Sequence, residues 1–337
     1  MSALLLLAGC TSPGKPSAAA PSKPGHGPAA RPALRCGADS GRSCQLALFA
    51  TEPEDGVKSL TARLDAATTS IDYVPFLLDQ NAIVKALIAA HNRGVRVRLM
   101  TEPENANKTN KAVVALTEAG VEVHDADPSF SLTHSKYVVI DGAKALLLTY
   151  NSTNKELPTH RDFAMEDDDP EDVQFIQRLF DADWTRTPVG QIPPGFVLSP
   201  DNADETLPAL VRSAQTSVDV YAEKLQSGPL LAAIEDTAKR GVAVRILAAP
   251  DNKSVPKPLL TLIRTGQLEI LVPTAFTVHA KVLVVDGSTA YFGSENIEDA
   301  AGDRRRELGL MFADPTIVGH LNDVFAHDWA GPTTSFE

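Results

Sequence analysis

The chain has 337 residues, enough for two domains of ordinary size or one large duplicated unit. Its hydrophobic content of 43% is that of a globular protein. A net charge of −12 argues against a protein whose main affinity comes from wrapping nucleic acid, which needs many Lys and Arg contacts to phosphate. A small phosphate pocket needs only local positive charge and stays open.

The apolar run Leu4–Ala8 is too short to cross a bilayer as a helix and reads as the end of an export signal. Leu7-Ala8-Gly9-Cys10 resembles a bacterial lipobox. The resemblance implies a signal over residues 1–10, a lipid-modified Cys10 and an exported lipoprotein of the cell envelope, held on its membrane by the anchor. Residues 11–35 are rich in Pro, Ser, Gly and Ala and cannot bury a core, so a flexible linker is predicted over 11–44. With Cys10 acylated, Cys36 and Cys44 remain as an even pair, which in an exported protein predicts a disulfide.

Beyond the linker the chain repeats itself. A helix is predicted to end near Ala67, then a strand over 70–76, then a helix carrying Ile83, Ala86, Leu87 and Ala90 that stops at Gly94. A strand at Val95–Met100, a third helix and a short strand at Val121–His124 follow. Lys136–Asp141 reads as a strand buried on both faces, Asp141-Gly142 as a turn and Ala145–Tyr150 as the returning strand. The acidic run Glu166–Asp169 reads as a solvated loop, and a closing helix spans about 171–184. The second half has the same order. A helix ends near Gln215, and a strand spans 217–223. A helix carrying Leu230, Ile234 and Ala238 stops at Gly241, and strands are expected at Val242–Ala248, Leu268–Val272, Lys281–Asp286 and Ala290–Gly293. A closing helix covers about 315–328. The boundary falls near Pro188–Gly195, giving domains over 45–188 and 196–331. Alternation of this kind predicts an α/β fold with a mainly buried sheet in each half.

One constellation occurs in both halves. His134, Lys136, Asp141, Thr149, Asn151 and Asp162 are matched by His279, Lys281, Asp286, Ser294, Asn296 and Glu307, 145 residues on. Two lysines can neutralise a phosphodiester and its transition state, and two asparagines can donate to the same oxygens. The Thr149 and Ser294 hydroxyls are expected to support that phosphate contact. Strand alternation is expected to put each histidine on the same face as its lysine. Two histidines allow one neutral nucleophile and one protonated acid near neutrality. A zinc site built from two His and two carboxylates is set aside, because two lysines there would repel a dication. No metal or other cofactor is called for. His26, His91, His124, His160, His320 and His327 have no counterpart in the other half and read as surface or packing residues.

These residues carry a resemblance to the phospholipase D superfamily, marked by His-x-Lys-x4-Asp followed by Gly-Ser/Thr-x-Asn. The likeness runs from about residue 45 to 330. It implies two tandem α/β/α domains about a pseudo-twofold axis, sharing one active site. It further implies that His134 is the nucleophile of a phosphohistidine intermediate and His279 the acid. Asp162 and Glu307 would orient the imidazoles, and Asp141 and Asp286 would sit in ion pairs behind the site. The first copy departs from the pattern at Leu148, where the second has Gly293. A monomeric phospholipase D-type phosphodiesterase acting on phospholipid is the expectation. An endonuclease or cardiolipin synthase-like transferase is the alternative, and nucleic acid the less favoured partner. A non-catalytic phosphate-binding module would be marked by a missing His or Lys, and none is missing. Basic loop residues available to a substrate are Lys108, Lys111, Lys253, Lys257, Arg304, Arg305 and Arg306.

Overall fold

A computed structural model describes residues 29–103, 106–250, 255–298 and 304–335. Cys10, the signal and the linker through residue 28 lie outside the described residues, as does Lys253. The first half runs β1 (Leu46–Glu52), α1 (Gly56–Ala66), β2 (Ser70–Val74), α2 (Asn81–Asn92), β3 (Arg96–Thr101), α3 (Ala106–Glu118), β4 (Glu122–Asp125), β5 (Leu132–Thr133), β6 (Tyr137–Ile140), β7 (Lys144–Leu148), β8 (His160–Asp167) and α4 (Pro170–Thr185). The second runs β9 (Phe196–Ser199), α5 (Ala203–Arg212), β10 (Ser217–Ala222), α6 (Pro229–Lys239), β11 (Ala243–Ala248), α7 (Lys257–Arg264), β12 (Leu268–Pro273), β13 (Thr277–Val278), β14 (Lys281–Val285), β15 (Thr289–Gly293), β16 (Arg305–Phe312) and α8 (Pro315–Ala330). A short β17 (Thr333–Ser335) closes the chain.

Each half builds one mixed sheet, in the orders β1-β8-β7-β6-β2-β3-β4 and β17-β12-β11-β10-β14-β15-β16. The signature strands explain the layering. Alternate residues of β6 face opposite ways: Tyr137 and Val139 enter a central core, Val138 and Ile140 an outer one. In β14, Val282 and Val284 join the same central core, and Leu283 and Val285 a second outer one. A strand buried on both faces must be apolar throughout, as both are. The central core also takes Phe175, Phe180, Leu321 and Phe325 from α4 and α8, so the two halves are fused through it. Asp-Gly turns join β6 to β7 and β14 to β15, with positive φ at Asp141 (56°), Gly142 (61°), Asp286 (51°) and Gly287 (61°).

The sheets also exchange edges. β5 leaves its own half to pair with β16, and β13 pairs with β8. These two-residue strands immediately precede the two histidines, so each histidine is delivered to the opposite half.

Three expectations are corrected. The linker predicted over 11–44 is packed against the fold in its described part. Leu34 enters the second outer core, the Arg35 N–H donates to the Met311 carbonyl (2.8 Å), and Cys36 is bonded to Cys44. Low hydrophobicity there is offset by that crosslink and by Arg35 and Arg42, which pair with Asp169, Glu171 and Asp172. The run Glu166–Asp169 is no solvated loop. It ends β8, buries Asp167, and supplies Asp169 as the cap of α4, accepting from the Glu171 and Asp172 N–H groups ahead of Pro170. Asp141 and Asp286 are not primarily ion-paired. Asp141 accepts the backbone N–H groups of Thr68, Thr69 and Ser70, and Asp286 those of Gln215, Thr216 and Ser217. Among the described residues only Asp286 adds a cation, Arg31 at 3.4 Å. Burial would raise both carboxyls, but these N–H donors hold them below the ordinary range.

Candidate active site

The structure brings the two signatures into one buried cluster. His134 and His279 lie in the short crossings between β5 and β6 and between β13 and β14, rather than on the long strands. Their backbones are fixed by the other half: the His134 N–H donates to the Arg306 carbonyl (2.9 Å) and the His279 N–H to that of Arg161 (3.2 Å). This edge pairing sets each imidazole beside the next residue of the foreign strand. His134 Nδ1 lies 2.8 Å from Glu307, and His279 Nδ1 lies 3.0 Å from Asp162. Each carboxylate therefore orients the histidine of the opposite copy. With Nδ1 committed, Nε2 is the nitrogen each ring offers to a substrate.

Both lysines fold back onto their own histidines. Lys136 Nζ donates to the His134 carbonyl, and Lys281 Nζ to that of His279 at 2.5 Å. Asn151 Nδ2 sits 3.4 Å from His279 Nε2, across the domain boundary. Asn296 is buried, and among the described residues its amide oxygen and nitrogen have no hydrogen-bond partner. Buried amides of this kind are positioned to receive a polar ligand.

Burial, reinforced by the charges of Lys136 and Lys281, lowers His134 to about 4 despite Glu307. Burial and then Lys281 bring Lys136 down to about 7. Burial alone would raise Glu307, but His134 and Lys136 hold its carboxyl below the ordinary range. The effect of Lys281 on Lys136 ties the two motifs into a single electrostatic site.

Thr149 and Ser294 take a different place from the one expected. Thr149 Oγ1 donates to Asp162 (2.6 Å), so a chain runs from Thr149 through Asp162 to His279. Ser294 sits beside Glu307 and helps hold its carboxyl low. Both hydroxyls are buried behind the histidines and brace the carboxylates. Arg306 is not a substrate-loop cation either. It is buried, pairing with Asp183 and Asp201. Arg305 is paired with Glu298.

The Leu148 departure has a packing cause. A Cβ on Gly293 would stand 2.7 Å from Gly309 Cα and press on the Tyr291 hydroxyl. That hydroxyl accepts the Glu295 N–H (3.2 Å). In the first copy Leu146, Leu148 and Ala164 occupy the positions of Tyr291, Gly293 and Gly309, and all three are buried. The glycines make room for one tyrosine, and leucine serves where no tyrosine is present.

Two site residues were missed because neither has a counterpart of the same type in the other half. His160 stacks on His279 with ring centroids 5.5 Å apart. Glu223 lies 2.6 Å from Lys281 Nζ and 3.7 Å from His279 Nε2. Burial would raise its carboxyl, but Lys281, His279 and His134 hold it well below the ordinary range. His160, Asp162 and His279 place three donor atoms within 4.8 Å of one another. Lys281 Nζ, 3.3 Å from both ring nitrogens of His279, opposes a dication there; His279 bonds Asp162, while His160 stacks on the ring and its Nδ1 has no hydrogen-bond partner among the described residues.

Comparison with known proteins places this geometry. A family profile described as "Cardiolipin synthase, PLD-like domain" matches residues 60–184 and again 207–329. The chain is similar to a human mitochondrial cardiolipin hydrolase, 27% identical over 39% of this chain and 52% of that protein. It is also similar to a cardiolipin synthase of Geobacillus kaustophilus (strain HTA426), 25% identical over 82% of this chain and 65% of that one. The chain spans about half the length of the curated hydrolase relatives it matches. In structure it resembles a phosphatidylserine synthase of Haemophilus influenzae Rd KW20, with a TM-score of 0.69 at 13% identity, over 91% of this chain and 90% of that one. That likeness speaks for the fold.

Proposed function

This chain belongs to the phospholipase D superfamily, and from that premise we propose that it is a phosphodiesterase of phospholipase D type, hydrolysing a phospholipid or transferring its phosphatidyl group. The observation that carries the reading is the crossed pairing of the two imidazoles. Each has Nδ1 on a carboxylate of the other half, so both Nε2 atoms serve one site between two lysines.

In this reading Nε2 of neutral His134 attacks phosphorus. The P–O bond to the alcohol breaks as the Nε2 proton of His279 passes to the leaving oxygen. A phosphohistidine and a neutral His279 result. His279 then takes a proton from water or an acceptor alcohol, whose oxygen attacks phosphorus, and the P–N bond breaks. Lys136 and Lys281 balance the charge on the non-bridging oxygens, with Asn151 and Asn296 as amide donors. The proton returns to His279 at the end of the cycle.

A phosphatidyl ester is favoured as substrate. The related proteins named above are called cardiolipin and phosphatidylserine enzymes. The charge of −12 disfavours long polyanions. The test is relative kcat/KM at physiological salt for mixed micelles of cardiolipin, phosphatidylethanolamine or phosphatidylcholine against single-stranded DNA. Phospholipid is expected to be preferred. A DNA preference of roughly tenfold, about 1.4 kcal/mol in barrier, would replace this reading with a nuclease.

An acyl group on Cys10 would keep the site beside its substrate and raise the local headgroup concentration. Among the described residues no helix is long and apolar enough to cross a membrane. Intact-mass measurement on protein from its native membrane is expected to show acylated Cys10. Protein retaining Met1 with an unmodified Cys10 thiol would contradict the anchor.

A further inference from the structure

The two halves of the site are unequal at one position. Ser70 and Ser217 begin matching strands, β2 and β10, so Phe76 of the first half corresponds to Glu223 of the second. Phe76 meets the His134 imidazole edge to face, with centroids 4.4 Å apart and planes at 75°. Lys136 Nζ stands 4.7 Å from the centre of the same ring. In the second half the aromatic ring is replaced by a carboxylate, 2.6 Å from Lys281 Nζ and 3.7 Å from His279 Nε2.

The charged and titratable groups around His279 are Asp162 and His160 from β8, Lys281 from β14, and Glu223 just beyond β10. Those around His134 are Glu307 from β16 and Lys136, with Lys281 and Glu223 further off. His279 thus has one carboxylate 3.0 Å from Nδ1 and another 3.7 Å from Nε2, whereas among the described residues the carboxylate in direct contact with His134 is Glu307, on the nitrogen away from substrate. An anion beside Nε2 favours the N–H form of that nitrogen, and an apolar ring beside an imidazole favours a bare lone pair.

We propose that Glu223 is the positioning residue that breaks the pseudo-twofold symmetry of the site, reserving His279 as proton donor to the leaving alcohol and leaving His134, against Phe76, as nucleophile. The inference rests on the phosphohistidine reading above. It has a cost that makes it testable. Glu223 also neutralises Lys281, so it competes with the anionic phosphate for that ammonium. Removing its charge tightens anion binding while weakening acid catalysis.

The test uses the full chain and its Glu223→Gln and Glu223→Asp variants. Two esters with the same phosphatidyl group are compared by kcat/KM, which reads the steps through release of the alcohol. Phosphatidylethanolamine needs a proton on its leaving alkoxide, whereas phosphatidyl-p-nitrophenol does not. For E223Q the alkyl ester is expected to lose roughly thirtyfold and the aryl ester no more than about threefold, with E223D recovering most of the alkyl activity. Inorganic phosphate, titrated calorimetrically at neutral pH, is expected to bind E223Q about tenfold more tightly than wild type. Equal losses on both esters would make Glu223 a merely structural counter-ion and overturn the proposal. Unchanged phosphate affinity would overturn it as well, without any turnover being needed. If the wild-type protein cleaves neither ester, the phosphodiesterase reading itself fails, and the calorimetry still decides whether Glu223 competes for Lys281.

Discussion

Replacing His134 with alanine is expected to lower kcat/KM by roughly four orders of magnitude, the scale seen when the nucleophile of a concerted catalytic group is removed. Wild-type protein stopped early in turnover is expected to carry phosphate on the peptide containing His134, stable to base and labile to acid. The expectation follows from the environment of that ring. Burial first, and the ammonium charges of Lys136 and Lys281 after it, bring His134 down to about 4. The imidazole therefore keeps its lone pair at every pH above that value, and activity that needs it is lost only as the pH falls through about 4. An acid limb near the ordinary histidine value of about 6.5 would show that burial and the two lysines do not hold His134 neutral. His279→Ala is expected to be equally damaging with an alkyl leaving group, because the alkoxide then departs unprotonated. Label found only on His279 would exchange the two roles. Inversion at a chiral phosphorus would exclude the two-step path altogether.

The parts of this architecture legible in the sequence are those that depend on local pattern. Apolar spacing and a terminal glycine mark α2 and α6, and both helices end just before Gly94 and Gly241. Unbroken apolar runs mark β6 and β14. The paired signatures require both histidines and lysines to serve one purpose, and the structure does gather them. What escaped is whatever depends on the other half. β8 and β16 read as His-Arg-Asp-Phe and Arg-Arg-Glu-Leu at their starts, and nothing but the family resemblance of Asp162 and Glu307 marks them as part of the site. They are buried because Arg161, Asp162, Arg306 and Glu307 find partners across the domain boundary. β5 and β13 have two residues each, too few for any periodicity, yet they decide which carboxylate meets which histidine. The cap of α4 was available as Asp169-Pro170, a cap residue followed by proline, but was obscured by the acidic run around it. Glu223 and His160 were lost for the opposite reason. A search for matched positions discards unmatched ones, and the asymmetry of the site lies in an unmatched one.

Arg161→Met is expected to destabilise the protein by about 3–5 kcal/mol, the range for removing one partner of a buried ion pair. The Arg161 guanidinium grips Asp328 with two bonds, at 2.7 and 2.8 Å, joining β8 of the first half to α8 of the second. It also donates to the Glu52 carbonyl, and its face lies 4.6 Å from the Phe276 ring centre. Methionine fills similar volume but leaves the Asp328 carboxylate buried with, among the described residues, only the Tyr221 hydroxyl as side-chain partner, 2.7 Å away. The double variant Arg161→Met with Asp328→Asn is expected to recover most of the loss, because the amide is neutral and its oxygen can still accept from Tyr221. The matching change, Arg306→Met, is expected to be milder. Its partner Asp183 is pushed up by burial to about 6 despite Arg306, so that carboxyl can take a proton instead of standing as an unpaired anion. Arg161 also immediately precedes Asp162, so loosening this grip should let His279 drift and lower kcat ahead of global unfolding. Denaturant melts of the three variants, with activity followed in parallel, test the scheme. A single Arg161→Met variant that unfolds at the wild-type midpoint, or a double variant no more stable than the single one, would show that the crossed arginines do not hold the two halves together.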